Sequence, residues 1–131
     1  MGNINSINTI NSIKRYNFED MQTIIKSKNI IINTLPENNQ DCLIIGTTNI
    51  NDEVRTLNDC LNNSKDTHII IYGKNCNDEK LFLKYKQLID LGFNNVHMYP
   101  GGMFEWLLLQ DTYGDENFPT TSKELDILKY K

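Results

Sequence analysis

The sequence predicts an α/β fold, a three-layer arrangement in which a central, mostly parallel sheet of about five strands is covered by helices on both faces. Three observations carry this. Apolar, β-branched runs such as "IIIN" (30–33) and "IIIY" (69–72) alternate with segments whose apolar residues recur at helical spacing. The runs are continuous rather than interleaved with polar residues, as expected of strands buried on both faces. Most end at a breaker, Pro36, Gly46, Gly73 or Pro100, that turns the chain toward the next element.

The elements follow in order. The first segment, "MGNINSINTINSIK", spaces Ile4, Ile7, Ile10 and Ile13 by three with polar filler. That period suits neither strand nor helix, so residues 1–14 are expected to form a tail and 15–131 one domain. Asn17 can cap a helix with Phe18, Met21, Ile24 and Ile25 on one face. "NIIINTL" reads as a strand, as does "CLIIG" from Cys42 to Gly46. Asn51 or Asp52 then opens a helix with Val54, Leu57 and Leu61 inward and Cys60 beside them. "HIIIY" is a strand, followed by a polar loop and a helix with Leu81, Phe82, Tyr85, Leu88 and Ile89 on one face, ended by Gly92. "NVHMY" is a further strand, Pro100-Gly101-Gly102 a turn, and "MFEWLLLQ" an apolar helix. A C-terminal extension begins at about 111, where Thr121-Ser122-Lys123-Glu124 carries a capping-box pattern that predicts a helix from Lys123 toward Lys129.

Composition narrows the function. With 13 basic and 17 acidic residues and a net charge of -4, the chain has no basic footprint for nucleic acid. It has no apolar run of membrane-spanning length and no secretory plan at its start, so a cytoplasmic protein is expected. Cys42, Cys60 and Cys76 form no C-x-x-C, and with only His68 and His97 for company they indicate neither a disulfide framework nor a metal site. No cofactor is indicated. Met1-Gly2 followed by Ser6 matches the N-myristoylation pattern at Gly2, but one acyl chain anchors weakly and only Lys14 and Arg15 are near to help. Asp111 to Glu116 lacks the spacing of a calcium loop. Abundant Asn, Ile and Lys fit the residue bias of an AT-rich genome.

Three stretches carry a family resemblance. "IIGTTNI" (44–50), "IIIYG" with its following loop and helix, and above all "LGFNNVHMYPGGMFEW" (91–106) resemble the rhodanese-like family, the thiosulfate sulfurtransferase superfamily, across about residues 15–110. With its extension, the chain resembles a rhodanese-like subgroup from protists and giant viruses. The resemblance implies a cysteine directly after the central strand, in a loop whose backbone amides converge on the sulfur, taking sulfur from a donor as a persulfide. It also implies an arginine closing that loop around an anionic donor. Converging N–H groups at a helix N-terminus stabilise anions and thiolates.

Two registers compete for that cysteine. Counted from the strand, its place is held by Gly73, which has no side chain; counted back from Gly92, Cys76 falls within about one residue of it. Neither register supplies the arginine. Asp78 and Glu79 lie five and six positions after Gly73, and carboxylates near a thiol oppose its ionisation. A helix N-terminus offers only about half a unit of positive charge, leaving Lys74 and Lys80 as nearby cations. The same gap counts against the phosphatases that share this fold. Two functions are therefore carried forward. In the first, the site is degenerate and the loop from Gly73 to Lys80, with Lys74, Asn75, Asn77, Asp78 and Glu79, recognises a partner protein or a small ligand. In the second, Cys76 is the nucleophile of a sulfurtransferase or persulfide carrier acting on a small sulfur-containing anion. His97 and Cys42 read as packed residues, and Trp106 as core.

Overall fold

Each isoleucine run builds a strand, and the period of two sorts its side chains into two cores. The computed structural model describes residues 13–131. β1 (Ile30–Asn33), β2 (Ile69–Tyr72) and β3 (Val96–Tyr99) lie side by side in that order, both pairings parallel. Ile31 faces Ile70 and Ile70 faces His97, while Ile32, Ile71 and Met98 form the next row. On one face Ile31, Ile70, Tyr72 and Tyr99 pack with Met21, Met103 and Trp106; on the other Ile32, Ile69, Ile71, Val96 and Met98 pack with Leu57, Leu81 and Leu88. Helices α1 (Phe18–Ile24) and α4 (Gly102–Tyr113) thus cover the first face, and α2 (Glu53–Asn63) and α3 (Glu79–Asp90) the second. Three layers follow from strands that are apolar at nearly every position, Asn33 and His97 being the exceptions.

The helix ends match their sequence signals. Asn17 and Asp20 form a reciprocal capping box at α1: the Asp20 N–H donates to Asn17 Oδ1 and the Asn17 N–H to Asp20 Oδ2, both at 2.9 Å. A 3₁₀ turn, Ile50–Asp52, leads into α2. α3 stops at Gly92, whose φ of 105° suits a residue without a Cβ. Trp106 is fully buried, its indole N–H donating to the Pro119 carbonyl at 3.2 Å.

Three expectations need correction. Among the described residues the sheet has three strands rather than about five. In "CLIIG" Cys42, Leu43 and Ile44 are buried, yet the amides go elsewhere: Ile44 N–H to the Tyr72 hydroxyl (3.2 Å), Leu43 N–H to Thr121 Oγ1 (3.1 Å) and Ile45 N–H to the Pro119 carbonyl (3.2 Å). At the sheet's edges only single bridges remain, Thr47 to Ile31 and Arg15 to Met98. The helix expected from Lys123 is only a 3₁₀ turn, Ile127–Tyr130, because the hydroxyls of Thr121 and Ser122 donate to the Asp41 carbonyl (3.2 and 2.8 Å) instead of capping a helix. Residues 114–131 form an irregular strap instead, and Tyr130 is buried in the first core. Val54 and Phe82, expected inward, are 68% and 38% exposed; α2 turns Leu57, Cys60 and Leu61 to the core. Most of the expected tail, with Gly2, lies outside the described residues.

α4 docks its first turn on the loop after β2. The Met103 N–H donates to the Gly73 carbonyl at 3.0 Å and the Phe104 N–H to the Lys74 carbonyl at 2.9 Å. Gly102 stands at φ 65°, and a Cβ there would lie 2.5 Å from the Gly73 oxygen. That oxygen is backbone held in a turn and cannot step aside. Gly102→Ala is expected to destabilise the fold by about 2 kcal/mol or more, whereas Gly114→Ala, where a Cβ meets nothing within 4 Å, bears only the left-handed strain; chemical denaturation of both variants checks the difference.

A second cluster sits where the chain enters the fold. The Tyr16 ring stacks on His97 (4.2 Å between centroids) and its hydroxyl meets His68 Nε2 at 2.9 Å. Burial holds both imidazoles below their ordinary range, and for His97 the neighbouring His68 and Lys14 push the same way against Asp20. The unfolded chain therefore takes up protons at a pH where the folded one does not. Their contribution to stability is full above about pH 6.5 and is lost as pH falls through that value toward the lower folded values. Melting temperature should fall between about pH 7.5 and pH 5.5, and fall less in His97→Phe, which keeps the stacking but cannot titrate; equal falls would contradict the assignment.

Candidate active-site loop

Residues 73–78 connect the carboxyl end of β2 to α3, the place where open α/β sheets bind ligands. The turn is folded around a carboxylate of its own. Asp78 is the N-cap of α3: its Oδ1 accepts the Lys80 N–H at 3.0 Å, while its Oδ2 turns back and accepts the Lys74 N–H at 3.0 Å. The Thr34 hydroxyl, at the end of β1, lies 3.4 Å from the same oxygen and 3.4 Å from the Tyr72 carbonyl. Thr34 is itself fixed by its N–H donating to that carbonyl at 2.9 Å.

This carboxylate fills the space beside Gly73. A Cβ on Gly73 would lie 2.2 Å from Asp78 Oδ2 and 2.6 Å from Thr34 Oγ1. Gly73 is buried and its carbonyl holds α4, so the position is closed from both sides.

Two further loop amides are held within the turn. The Asn77 N–H donates to Asn75 Oδ1 (2.8 Å) and the Asp78 N–H to the Asn75 carbonyl (3.2 Å). Asn75 Nδ2 donates to the Tyr130 carbonyl at 2.8 Å, tying the end of the strap to the loop. Amides 74, 77, 78 and 80 thus have acceptors within the turn.

Of the residues expected at the site, the fold brings Gly73, Lys74, Asn75 and Asp78 together and leaves Cys76, Asn77, Glu79 and Lys80 exposed at the outer side. The Cys76 thiol enters no hydrogen bond among the described residues, and the loop holds no arginine. The chain's two arginines are elsewhere, Arg15 at the sheet edge and Arg55 paired with Asp52 at 2.9 Å. Lys80 reaches the wall of an open cleft of about 570 Å³ beside the loop, where Thr34, Leu35, Leu83 and the Lys84–Glu53 ion pair (2.6 Å) also lie. No group of three or more His, Cys, Asp or Glu suited to a metal ion occurs among the described residues. Cys42 is buried, its thiol donating to the Ser122 carbonyl (3.3 Å), and burial pushes its pKa up.

Three contributors escape a reading of sequence alone. Thr34 reads as the polar end of a strand, Gly102 as part of a turn, and Tyr130 as an aromatic in a polar tail. Only the paired glycines of "PGGM" signal a close approach of backbones.

The comparisons bear on the whole fold. No curated protein matches the chain by sequence. Among solved structures, the chain is similar to the Alr3790 protein from Anabaena sp. (20% identity, TM-score 0.58, covering 87% of this chain and 86% of that one). A solution structure of the rhodanese-like domain from the same Anabaena protein also matches (20% identity, TM-score 0.56, covering 72% and 74%). So does a thiosulfate sulfurtransferase from Pseudomonas aeruginosa, at 14% identity and TM-score 0.61, covering 93% of this chain but 24% of that enzyme. At these identities the likeness concerns the fold. The family model described as "Rhodanese-like domain" matches residues 11–109, most of the chain and the whole sheet. The chain belongs to the rhodanese-like family.

Proposed function

We propose that this rhodanese-like protein is catalytically degenerate and acts in recognition, binding a partner protein or a small ligand through the loop from Gly73 to Lys80. The observation that supports this most is the Asp78 carboxylate on the Lys74 amide. A persulfide-forming site needs converging N–H groups free to receive a thiolate and an anionic donor. Here a fixed negative charge takes that place, and a second anion beside it meets like-charge repulsion with no arginine to offset it. What the loop presents outward is Cys76, Asn77, Glu79 and Lys80, a polar mixed-charge surface on a rigid base. The same reading keeps the protein in the cytoplasm, and its composition fits origin in a protist or a large DNA virus.

One observation favours a second reading. The Cys76 thiol is exposed and stands three residues before α3, so a sulfurtransferase or persulfide carrier would use Cys76 as nucleophile with Lys74 or Lys80 as its cation.

Incubation with thiosulfate separates the two. The degenerate reading expects no added sulfur in the intact-protein mass under conditions that load an active rhodanese; one added sulfur atom, lost in Cys76→Ser, would establish the second reading instead. A thermodynamic cycle tests the plugged turn itself. Gly73→Ala should cost about 1–3 kcal/mol in the native background, and at least about 1 kcal/mol less in Asp78→Ala, because the tighter of the two clashes is with that side chain and the other is with Thr34 Oγ1. Equal costs in the two backgrounds would show that Asp78 does not occupy the space.

A further inference from the structure

A groove of about 420 Å³ runs between the second half of α4 and the strap, within the usual size of ligand clefts. Leu107, Pro119, Leu125 and Ile127 give it apolar walls, and Asp111, Asp115 and Glu124 line it with Lys123. Glu124 is neutralised by Lys129. Asp111 and Asp115 pair with no cation among the described residues.

Two features of these elements are left uncompensated. The first is electrostatic. Asp111 lies in the last turn of α4, where the aligned peptide dipoles already present negative charge, and no basic residue occupies that turn. Asp115 follows four positions later, and Glu116 adds a third carboxylate. The donors at this helix end are neutral: Asn117 Nδ2 donates to the Tyr113 carbonyl (3.0 Å) and the Gly114 N–H to that of Gln110 (2.8 Å). The second is apolar. α4 carries Phe104, Trp106, Leu107, Leu108 and Leu109 around its whole circumference, the pattern of a helix covered on every side. Yet Leu108 and Tyr113 are 45% and 63% exposed, and on the strap Leu125 and Leu128 are 82% and 68% exposed.

We infer that this groove docks a basic, amphipathic segment of a partner protein, with lysine or arginine against Asp111 and Asp115 and an apolar side chain against Leu107, Leu125 and Ile127. A cation delivered from outside relieves the negative helix end, and an apolar neighbour covers Leu125, the leucine of the groove wall that this chain leaves in water. The surface is separate from the loop after β2 and does not depend on that loop's role.

The test uses the full chain and three synthetic peptides: one with arginines flanking a leucine, one with glutamates in place of the arginines, and one with serine in place of the leucine. Titration followed by amide NMR should show the basic apolar peptide shifting resonances of Leu107, Asp111, Asp115 and Leu125, with affinity that weakens as salt rises. The other two peptides should bind at least about tenfold more weakly. Asp111→Asn with Asp115→Asn should weaken the first peptide by about tenfold or more while melting no lower than the native chain, since the substitutions remove like charges from a helix end. Binding of the acidic peptide with equal strength, unchanged binding by the double variant, or saturable calcium binding at these residues with no peptide binding would each overturn the proposal.

Discussion

The architecture around the loop depends on one hydrogen-bonded carboxylate. Asp78 caps α3 with one oxygen and closes the β2–α3 turn with the other. Because a carboxylate oxygen bound to backbone N–H is a strong, charge-assisted acceptor, it fixes the amides of Lys74 and Lys80. On the other side of the turn, the carbonyls of Gly73 and Lys74 receive the first amides of α4. Gly73 and Gly102 are both required by this geometry, the first because the carboxylate needs the room of its side chain and the second because α4 approaches within contact of the turn's backbone.

The sheet determines what the loop can reach. With β1, β2 and β3 parallel and in that order, Thr34 and Gly73 emerge at the same end of neighbouring strands, and a hydroxyl from one reaches the carboxylate behind the other. The strap adds a third tie through Asn75 and the Tyr130 carbonyl. Tyr130 is buried, so this tie is anchored in the core rather than held at the surface. The loop is thus tied to β1, α4 and the strap.

Much of this was legible in the residues. The isoleucine runs gave the strands because they are apolar at every position, and the breaks at Gly92 and Pro100 gave the boundaries of α3 and α4. Gly73 at the end of the central strand, Cys76 three residues later and the absence of arginine from the loop were legible too, but which of Gly73 and Cys76 stands in the place of the family's cysteine was not. "CLIIG" misled because burial and sheet pairing are separate properties: Cys42, Leu43 and Ile44 are inside while the amides bond to a tyrosine hydroxyl and to the strap. The capping-box pattern at Thr121 misled because the same hydroxyls found a carbonyl 80 residues away in sequence. That Asp78 would turn inward while Cys76 stayed exposed was not readable, since spacing alone places both in one loop.

Asp78 occupies the amides of Lys74 and Lys80, and an anion can reach them only when that carboxylate is removed. Amide NMR of the native chain titrated with thiosulfate addresses this most directly. The Lys74 and Lys80 resonances are expected to stay in place in the native protein and to shift saturably in Asp78→Ala, where the acceptor has been removed. Saturable shifts of those two amides in the native protein, accompanied by shifts at Cys76, would contradict it and return the loop to anion chemistry.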